Sequence, residues 1–167
     1  IKSMTHSDPT GHESRTESTT RVEEPAQSEA PARPAGGGTA TPYKLTVTRK
    51  LVAQHFLTVP DPGPEGVPHS HRFQIEVRFG GPELNEYGYL VNIDAVNELL
   101  DRLEERYRDS LLNDLPEFEG LNPSVEHFSR LFGDRVQAGL SEPTPTRLTV
   151  RIWEDDTAWA SHQRSLE

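Results

Sequence analysis

The feature that most constrains the fold is a strict alternation of polar and apolar residues that begins at Arg72. Polar side chains at Arg72, Gln74, Glu76 and Arg78 alternate with apolar ones at Phe73, Ile75, Val77 and Phe79. A period of two is typical of a β-strand with one face buried and the other in contact with solvent. The sequence therefore predicts a sheet with a single buried face.

Two histidines stand at the start of this strand. His69 and His71 are two residues apart, so in extended chain both imidazoles leave the same face. A third, His55, lies at the end of an earlier strand-like run, residues 43–56. If the two strands are neighbours in one antiparallel sheet, three neutral imidazoles face one point. Three histidines with one open coordination position are typical of a catalytic zinc site, whereas structural zinc sites close with four ligands, often cysteines.

The same histidines also fit a simpler interpretation, in which they are exposed or hydrogen-bonded residues at a strand end. Metal chemistry would need a partner for proton transfer, and Glu65, four residues before His69, is the candidate. Without a metal, Glu65 is an ordinary surface acid. His6 and His12 lack the strand context and are not expected to bind metal.

Charge and composition exclude several other functions. The chain has 167 residues and a formal net charge of −10, and it shows no basic stripe, so a nucleic-acid partner is not expected. It contains no cysteine, which excludes disulfides, thiolate ligands and a cysteine nucleophile. No apolar run has membrane-spanning length and no segment resembles a secretory signal, so we expect a cytoplasmic protein without membrane contact.

The chain divides by composition into three parts. Residues 1–41 are rich in Ser, Thr, Glu, Pro and Gly and hold few large apolar side chains, so we predict a disordered tail. Residues 42–160 have the periodicity of a folded domain. Residues 161–167 are predicted to be a short C-terminal tail.

The domain is predicted to contain further strands and two helices. Residues 87–93 are predicted to be extended, and residues 94–108 carry apolar side chains at helical spacing. Asn122 and Pro123 are typical of a helix start, and they predict a second helix through Val136. Residues 147–154 alternate again. This order predicts an α+β domain, an antiparallel β-sheet with two helices packed on one face.

Six short motifs occur in the order typical of one enzyme family. They are Ala53-Gln54-His55, His69-Ser70-His71, Gly88-Tyr89-Leu90-Val91-Asn92, Leu112-Asn113-Asp114, Asn122-Pro123-Ser124-Val125-Glu126 and Trp153-Glu154. Together they cover nearly all of residues 43–160. The chain resembles the 6-pyruvoyl-tetrahydropterin and 6-carboxy-tetrahydropterin synthases, which have the tunnelling (T) fold.

The resemblance implies a cofactor, a ligand and an assembly. Zinc would be held by His55, His69 and His71, and Glu154 would bind the amino and amide N–H groups of a pterin ring. Ser124, where the family often has threonine, would line the same pocket or merely lie in the first turn of the helix. Family members form trimers that stack into hexamers with active sites between subunits, so we expect a homo-oligomer.

Two departures from the family pattern concern catalysis. Glu65 stands where typical members have a catalytic cysteine. The family branch with glutamate there cleaves the side chain of dihydroneopterin triphosphate to give a hydroxymethyl-dihydropterin. The usual Leu-Asp-His ahead of Leu-Asn-Asp is replaced by Tyr107-Arg108-Asp109-Ser110. A one-residue slip makes Asp109 a candidate for the catalytic aspartate, but no histidine follows it.

Three hypotheses follow. In the first, the protein is a zinc-dependent carbon–oxygen lyase acting on 7,8-dihydroneopterin triphosphate or a related dihydropterin, with Glu65 and Asp109 as catalytic residues. In the second, it is a diverged paralogue that binds metal and pterin without the family reaction. In the third, it is a structural protein whose histidines are incidental.

Overall fold

The structure is a computed structural model and describes residues 41–166. Its elements are β1 (Tyr43–His55), β2 (His69–Gly81), α1 (Ile93–Tyr107), α2 (Val125–Gly139), β3 (Arg147–Trp153) and β4 (Trp159–Ser165). Short 3-10 turns lie at Gly63–Gly66, Leu112–Asp114 and Pro116–Phe118. The predicted α+β architecture is confirmed. The predicted N-terminal tail lies outside the described residues, except for Thr41.

The sheet is antiparallel, with the strand order β1-β2-β3-β4. Strands β1 and β2 form a long hairpin whose register runs from Tyr43 opposite Gly81 to His55 opposite His69. The last residue of β1 therefore lies beside the first residue of β2. This register brings the two histidine-bearing strand ends together.

The period of two in the sequence corresponds to burial of one face of the sheet. In β2 the side chains of Phe73, Ile75, Val77 and Phe79 are at most 1% exposed, and in β3 Leu148, Val150 and Ile152 are 0% exposed. Helix α1 packs on β1, and α2 packs on β3 and β4. The helices contribute buried side chains at the predicted spacing, among them Val96, Leu100, Phe128 and Val136. Within the described residues, neither helix is both long and apolar enough to cross a membrane.

The start of α2 differs from its prediction by two residues. Ser124, not Asn122, is the N-cap, and its hydroxyl accepts a hydrogen bond from the amide of His127. The Asn122 side chain is used elsewhere, because its Oδ1 accepts from the amide of Thr58 at 2.9 Å. This bond ties the entry of α2 to the loop that follows His55.

Residues 87–93 were predicted to be extended, and this is wrong. Asn85 Oδ1 accepts hydrogen bonds from the amides of Tyr87 and Tyr89 at 3.0 and 2.9 Å. Gly88 lies at φ +79°, a conformation that glycine adopts without a steric penalty. The local hydrogen bonds satisfy the backbone here, so the segment forms a turn and Ile93 begins α1.

Strand β4 lies partly in residues that were predicted to be a C-terminal tail. The boundary predicted at residue 160 falls inside this strand, which pairs with β3 from Ser165 opposite Arg147 to Trp159 opposite Trp153. Its inward positions are Ala160, His162 and Arg164, so it lacks the apolar alternation that identifies a strand in sequence. Arg164 packs over α2 by pairing with Asp134.

A charged cluster between the helices links α1 to the turn before α2. Arg106 donates to both carboxylate oxygens of Glu117, at 2.8 and 2.6 Å, and Tyr107 donates to Glu117 at 3.0 Å. The Arg106 hydrogen bonds lower the pKa of Glu117 to about 2, and burial raises the pKa of Tyr107 above its usual value. The Glu117 side chain is 8% exposed and that of Arg106 is 35% exposed, so solvent and salt screen the pair less than a fully exposed one.

We expect Glu117→Gln to lower the free energy of unfolding at neutral pH by about 2 kcal/mol, since it weakens charge-assisted hydrogen bonds. The pKa of Glu117 is lower in the folded state than its ordinary value of 4.5, so the stabilisation is present above that value and is lost as the pH falls towards about 2. Urea unfolding across this range should show that the difference in the free energy of unfolding between wild type and variant becomes smaller as the pH falls. Glu119→Gln, at an exposed position, is the control. A difference in the free energy of unfolding that does not change with pH would contradict the low pKa of Glu117.

Candidate functional site

Three histidine side chains meet at the end of the β1–β2 hairpin that carries its connecting loop, residues 56–68. The ring centres of His55 and His69 are 4.6 Å apart, those of His55 and His71 are 5.0 Å apart, and those of His69 and His71 are 4.9 Å apart. The strand register explains this, because His55 lies opposite His69, and His71 projects from the same face of β2. The structure therefore brings together the three residues that the sequence singles out.

Backbone carbonyls fix the orientation of two of these rings. His55 Nδ1 lies 2.8 Å from the carbonyl oxygen of Pro123, and His69 Nδ1 lies 2.8 Å from that of Val67. A carbonyl oxygen only accepts, so each Nδ1 carries the hydrogen and, in the neutral ring, each Nε2 presents a lone pair. Burial lowers the pKa of His55, whose side chain is 1% exposed, which favours this neutral form.

The Nε2 atoms of all three rings are buried and have no hydrogen-bond partner among residues 41–166. A buried polar atom without a partner is uncommon in a folded protein. Glu65 Oε2 lies 2.8 Å from His69 Nε2, although this contact lacks hydrogen-bond geometry. Glu154 Oε1 lies 3.3 Å from His55 Nε2 and 3.4 Å from His71 Nε2.

This arrangement fits a divalent cation. Lone pairs of neutral imidazoles would repel carboxylate oxygens at these distances, and a cation between them removes the repulsion. One ligand atom from each of His55, Glu65, His69 and His71 lies within 4.8 Å of the others. Tetrahedral ligands about 2.1 Å from one zinc ion lie roughly 3.4 Å apart, so small side-chain movements close the cluster around a single ion.

A cavity of about 310 Å³ lies beside the histidines. It is lined by His55, Leu57, Glu65, Ser124, Val125, Glu126, Glu154, Ala158, Trp159 and Ala160. A larger groove of about 690 Å³ lies between the start of β1 and residues 84–94. It contains no histidine, and the only metal-ligating cluster found in the described part of the chain is the one around His55. The smaller cavity is therefore the candidate site.

An asparagine outside the cluster holds the end of β1 in place. Asn113 Oδ1 accepts from the amide of Phe56 at 3.0 Å, and its Nδ2 donates to the Phe56 carbonyl at 2.9 Å. The side chain thus mimics a neighbouring strand for the residue after His55. Its motif is visible in the sequence, but this positioning role depends on a contact between distant parts of the chain.

The two remaining predicted site residues differ in position: one lines the cavity and the other lies away from it. Ser124 lines the cavity, and its hydroxyl also caps α2. Asp109 does not join the histidines of its own chain. It lies at φ +56°, its amide donates to Val52 O at 2.8 Å, and it lines a separate cleft with Lys50 and Arg72.

One wall of the cavity is formed by residues at the start of β4, which the sequence did not predict. Ala158, Trp159 and Ala160 line the cavity, and Trp159 is 51% exposed. The available indication in the sequence was a second tryptophan five residues after Glu154, but the position of Trp159 depends on the pairing of β3 with β4.

Fold and site together define an α+β protein with a three-histidine cluster at one end of an antiparallel sheet. The model of the 6-pyruvoyl tetrahydropterin synthase family matches residues 44–165, and the chain belongs to that family. The 6-carboxy-5,6,7,8-tetrahydropterin synthase of Bacillus subtilis is 27% identical over 127 residues, which cover 72% of this chain and 85% of that protein.

Solved structures of the same family share the fold. The Caenorhabditis elegans 6-pyruvoyl tetrahydropterin synthase superposes with a TM-score of 0.65 at 15% identity, covering 74% of this chain and 96% of that one. A Plasmodium vivax 6-pyruvoyltetrahydropterin synthase in which a catalytic glutamate is replaced by alanine gives a TM-score of 0.61 at 12% identity, covering 74% and 98%. The predicted tunnelling fold is thereby confirmed.

Proposed function

We propose that this protein is a zinc-dependent lyase that acts on the side chain of 7,8-dihydroneopterin triphosphate or a related dihydropterin. The observation that carries the proposal is the convergence of three buried, unpartnered Nε2 atoms beside a cavity of about 310 Å³. Membership of a family of pterin synthases supports the substrate class.

Zinc would be held by Nε2 of His55, His69 and His71. When bound, the ion supplies a Lewis acid that binds hydroxyl groups and lowers their pKa. The carbonyls of Pro123 and Val67 keep two of the rings in the tautomer that a metal requires.

Glu65 is proposed to accept and return the proton during the reaction. Its carboxylate lies next to His69 at the edge of the cavity, and its carbonyl oxygen accepts from the Leu57 amide at 2.7 Å, which anchors the loop. The side chain is 51% exposed, so it can exchange protons with solvent. The Plasmodium vivax relative also has a catalytic glutamate.

Glu154 is proposed to anchor the pterin ring. Its side chain is 26% exposed and lies on the cavity wall, where a carboxylate can accept two parallel hydrogen bonds from the amino and amide N–H groups. Ser124 lies beside it in the cavity and is proposed to contact the ring.

Assembly would complete the site. Within the described chain β1 and β4 are edge strands, which offer unpaired backbone groups to a second copy. We propose a homo-oligomer, a trimer or hexamer, in which Asp109 acts in the site of a neighbouring subunit. This would explain why Asp109 lies away from the histidines of its own chain.

The test is to purify the protein, measure its zinc content and incubate it with dihydroneopterin triphosphate and with dihydroneopterin. Mass spectrometry should show loss of substrate and a shortened or rearranged pterin side chain. Zinc-loaded protein inert toward both compounds would overturn the catalytic proposal.

A second candidate is a paralogue that binds metal and pterin without turnover. It is favoured by the separation of Asp109 from the cluster and by the absence of a histidine after it. Bound pterin recovered unchanged from zinc-loaded oligomer would support this candidate.

A further inference from the structure

The face of the sheet that points away from the helices is positively charged. The chain has a formal net charge of −10, yet the strand residues on this face include six cations and one carboxylate, that of Glu76. The cations are Lys44, Lys50, Arg72, Arg78, Arg147 and Arg151. They belong to three strands and meet only through strand pairing, so they form no run in the sequence. This face therefore attracts anions.

Two of these cations, Lys50 and Arg72, are available to a ligand. Both are exposed, and they lie diagonally across two adjacent strands, because Arg72 is opposite Val52, two residues after Lys50. Arg78 is paired with Glu76 at 2.8 Å, whereas neither Lys50 nor Arg72 has a carboxylate partner among residues 41–166. Their charges are therefore not neutralised within the described chain.

Lys50 and Arg72 share a cleft of about 300 Å³ with Asp109. Arg108 also lines this cleft, although its guanidinium is paired with a carboxylate of α1. Lys50 and Arg72 line a second cleft of about 220 Å³ as well, but two carboxylates balance them there. Those carboxylates are Asp155 and Asp156. The first cleft, with three cations and one carboxylate, is thus the better place for an anion.

Strand pairing between two copies would bring this cleft to the histidine cavity of a neighbouring subunit. The Asp109 amide donates to Val52 O and the Gln54 amide to Ser110 O, both at 2.8 Å, so the last part of the β1 edge is covered. Residues 43–51 have no strand partner on this edge within the described chain, and the seven-residue β4 of a second copy fits along them. Neighbouring strands are all antiparallel, so the end of β1 and the start of β4 lie at the same end of the sheet. The start of β4, which lines the histidine cavity, would then lie beside the Asp109 cleft.

We propose, on the basis of the function proposed above, that Lys50 and Arg72 bind the phosphate groups of a substrate held in the cavity of the neighbouring subunit. One subunit supplies the histidines and Glu154, and the next supplies the two cations together with Asp109. Lysine and arginine bind phosphate oxygens through charge-assisted hydrogen bonds, and a triphosphate offers several such oxygens. The site thus takes a phosphorylated dihydropterin in preference to the free alcohol.

The first test compares neopterin with neopterin triphosphate, two oxidised and unreactive probes, on the full-length zinc-loaded protein. Pterin fluorescence gives both dissociation constants. We expect the triphosphate to bind about tenfold more tightly at low ionic strength, and the difference to shrink at high salt, because salt screens the attraction. Equal binding, or tighter binding of neopterin, would overturn this inference and leave the proposed function standing. Failure of both probes to bind would overturn the two together.

Substitution of the cations tests the assignment of the phosphate site. Lys50→Gln and Arg72→Gln should each weaken binding of the triphosphate about tenfold and leave the neopterin constant and the zinc content as in wild type. Lys44→Gln is the matched control, because Lys44 lies on the same face of the same strand, six residues and about 20 Å from Lys50. Equal losses for Lys44→Gln and Lys50→Gln would show a general attraction without a site and would overturn the proposal.

Mixed oligomers test whether the cations act across the subunit boundary. Glu154→Ala removes the proposed ring anchor, and the double variant Lys50→Gln, Arg72→Gln removes the cations, so either variant alone should bind the triphosphate weakly. Coexpression of the two variants should restore tight sites, wherever a cavity that keeps Glu154 adjoins a neighbour that keeps both cations. Mixed oligomers without any restored site would overturn binding between subunits.

Discussion

Replacing His55 with alanine is expected to abolish stoichiometric zinc binding. The imidazole is buried and fixed by the Pro123 carbonyl, and its Nε2 is one of the three that converge. Two histidines and the carboxylates of Glu65 and Glu154 remain, a set that binds zinc more weakly than one with three fixed imidazoles. Zinc content after dialysis would measure the loss directly.

Thermal unfolding gives a second readout. A metal that binds only the folded state stabilises it, so added zinc should raise the melting temperature of wild type and leave that of His55→Ala unchanged. His55→Ala also leaves the buried Pro123 carbonyl without its donor, a loss of about 1–3 kcal/mol even without metal. His71→Ala, at a less buried position, removes a ligand with less effect on folding.

His127→Ala is the matched control. His127 also places Nδ1 on a backbone carbonyl, that of Asn122 at 2.7 Å, but it lies outside the cluster. Its substitution should therefore preserve zinc binding. If His55→Ala kept its zinc, the histidines would be incidental and the structural hypothesis would stand.

Glu65→Gln is expected to lower kcat by about a hundredfold to ten-thousandfold, the range typical for loss of a general acid or base. Glutamine keeps the size of the side chain but cannot exchange the proton. Zinc content should stay stoichiometric, because the three imidazoles are sufficient to hold the ion. Steady-state kinetics with the preferred dihydropterin and metal analysis of the same sample provide the two readouts.

The outcomes of this substitution separate the hypotheses. Glu119→Gln should behave as wild type, since its carboxylate is outside the cavity. Loss of zinc together with activity would show that Glu65 is a metal ligand instead of the proton carrier. If Glu65→Gln changed nothing beyond a small shift in pterin affinity, the protein would be the non-catalytic paralogue.

Local periodicity was sufficient to predict much of this fold. The alternation from Arg72 to Phe79 and the helical spacing from Val96 to Tyr107 each reflect which face of an element is buried, and burial is encoded residue by residue. The convergence of His55, His69 and His71 also followed from the sequence, since two strand ends joined by one hairpin need only antiparallel pairing to meet.

The features decided by the tertiary structure depend on contacts between distant residues. Strand β4 lacks apolar alternation because its inward positions are Ala160, His162 and Arg164, and Arg164 pairs with Asp134 of α2. Asn85 Oδ1 accepts hydrogen bonds from the amides of Tyr87 and Tyr89, and a turn forms where the sequence predicted a strand at residues 87–93. The carbonyl of Pro123 that fixes His55 is 68 residues away along the chain, and Asn113 holds the end of β1 from 57 residues away. Periodicity records which face of an element is buried, but which donor meets which acceptor is decided only when the elements pack.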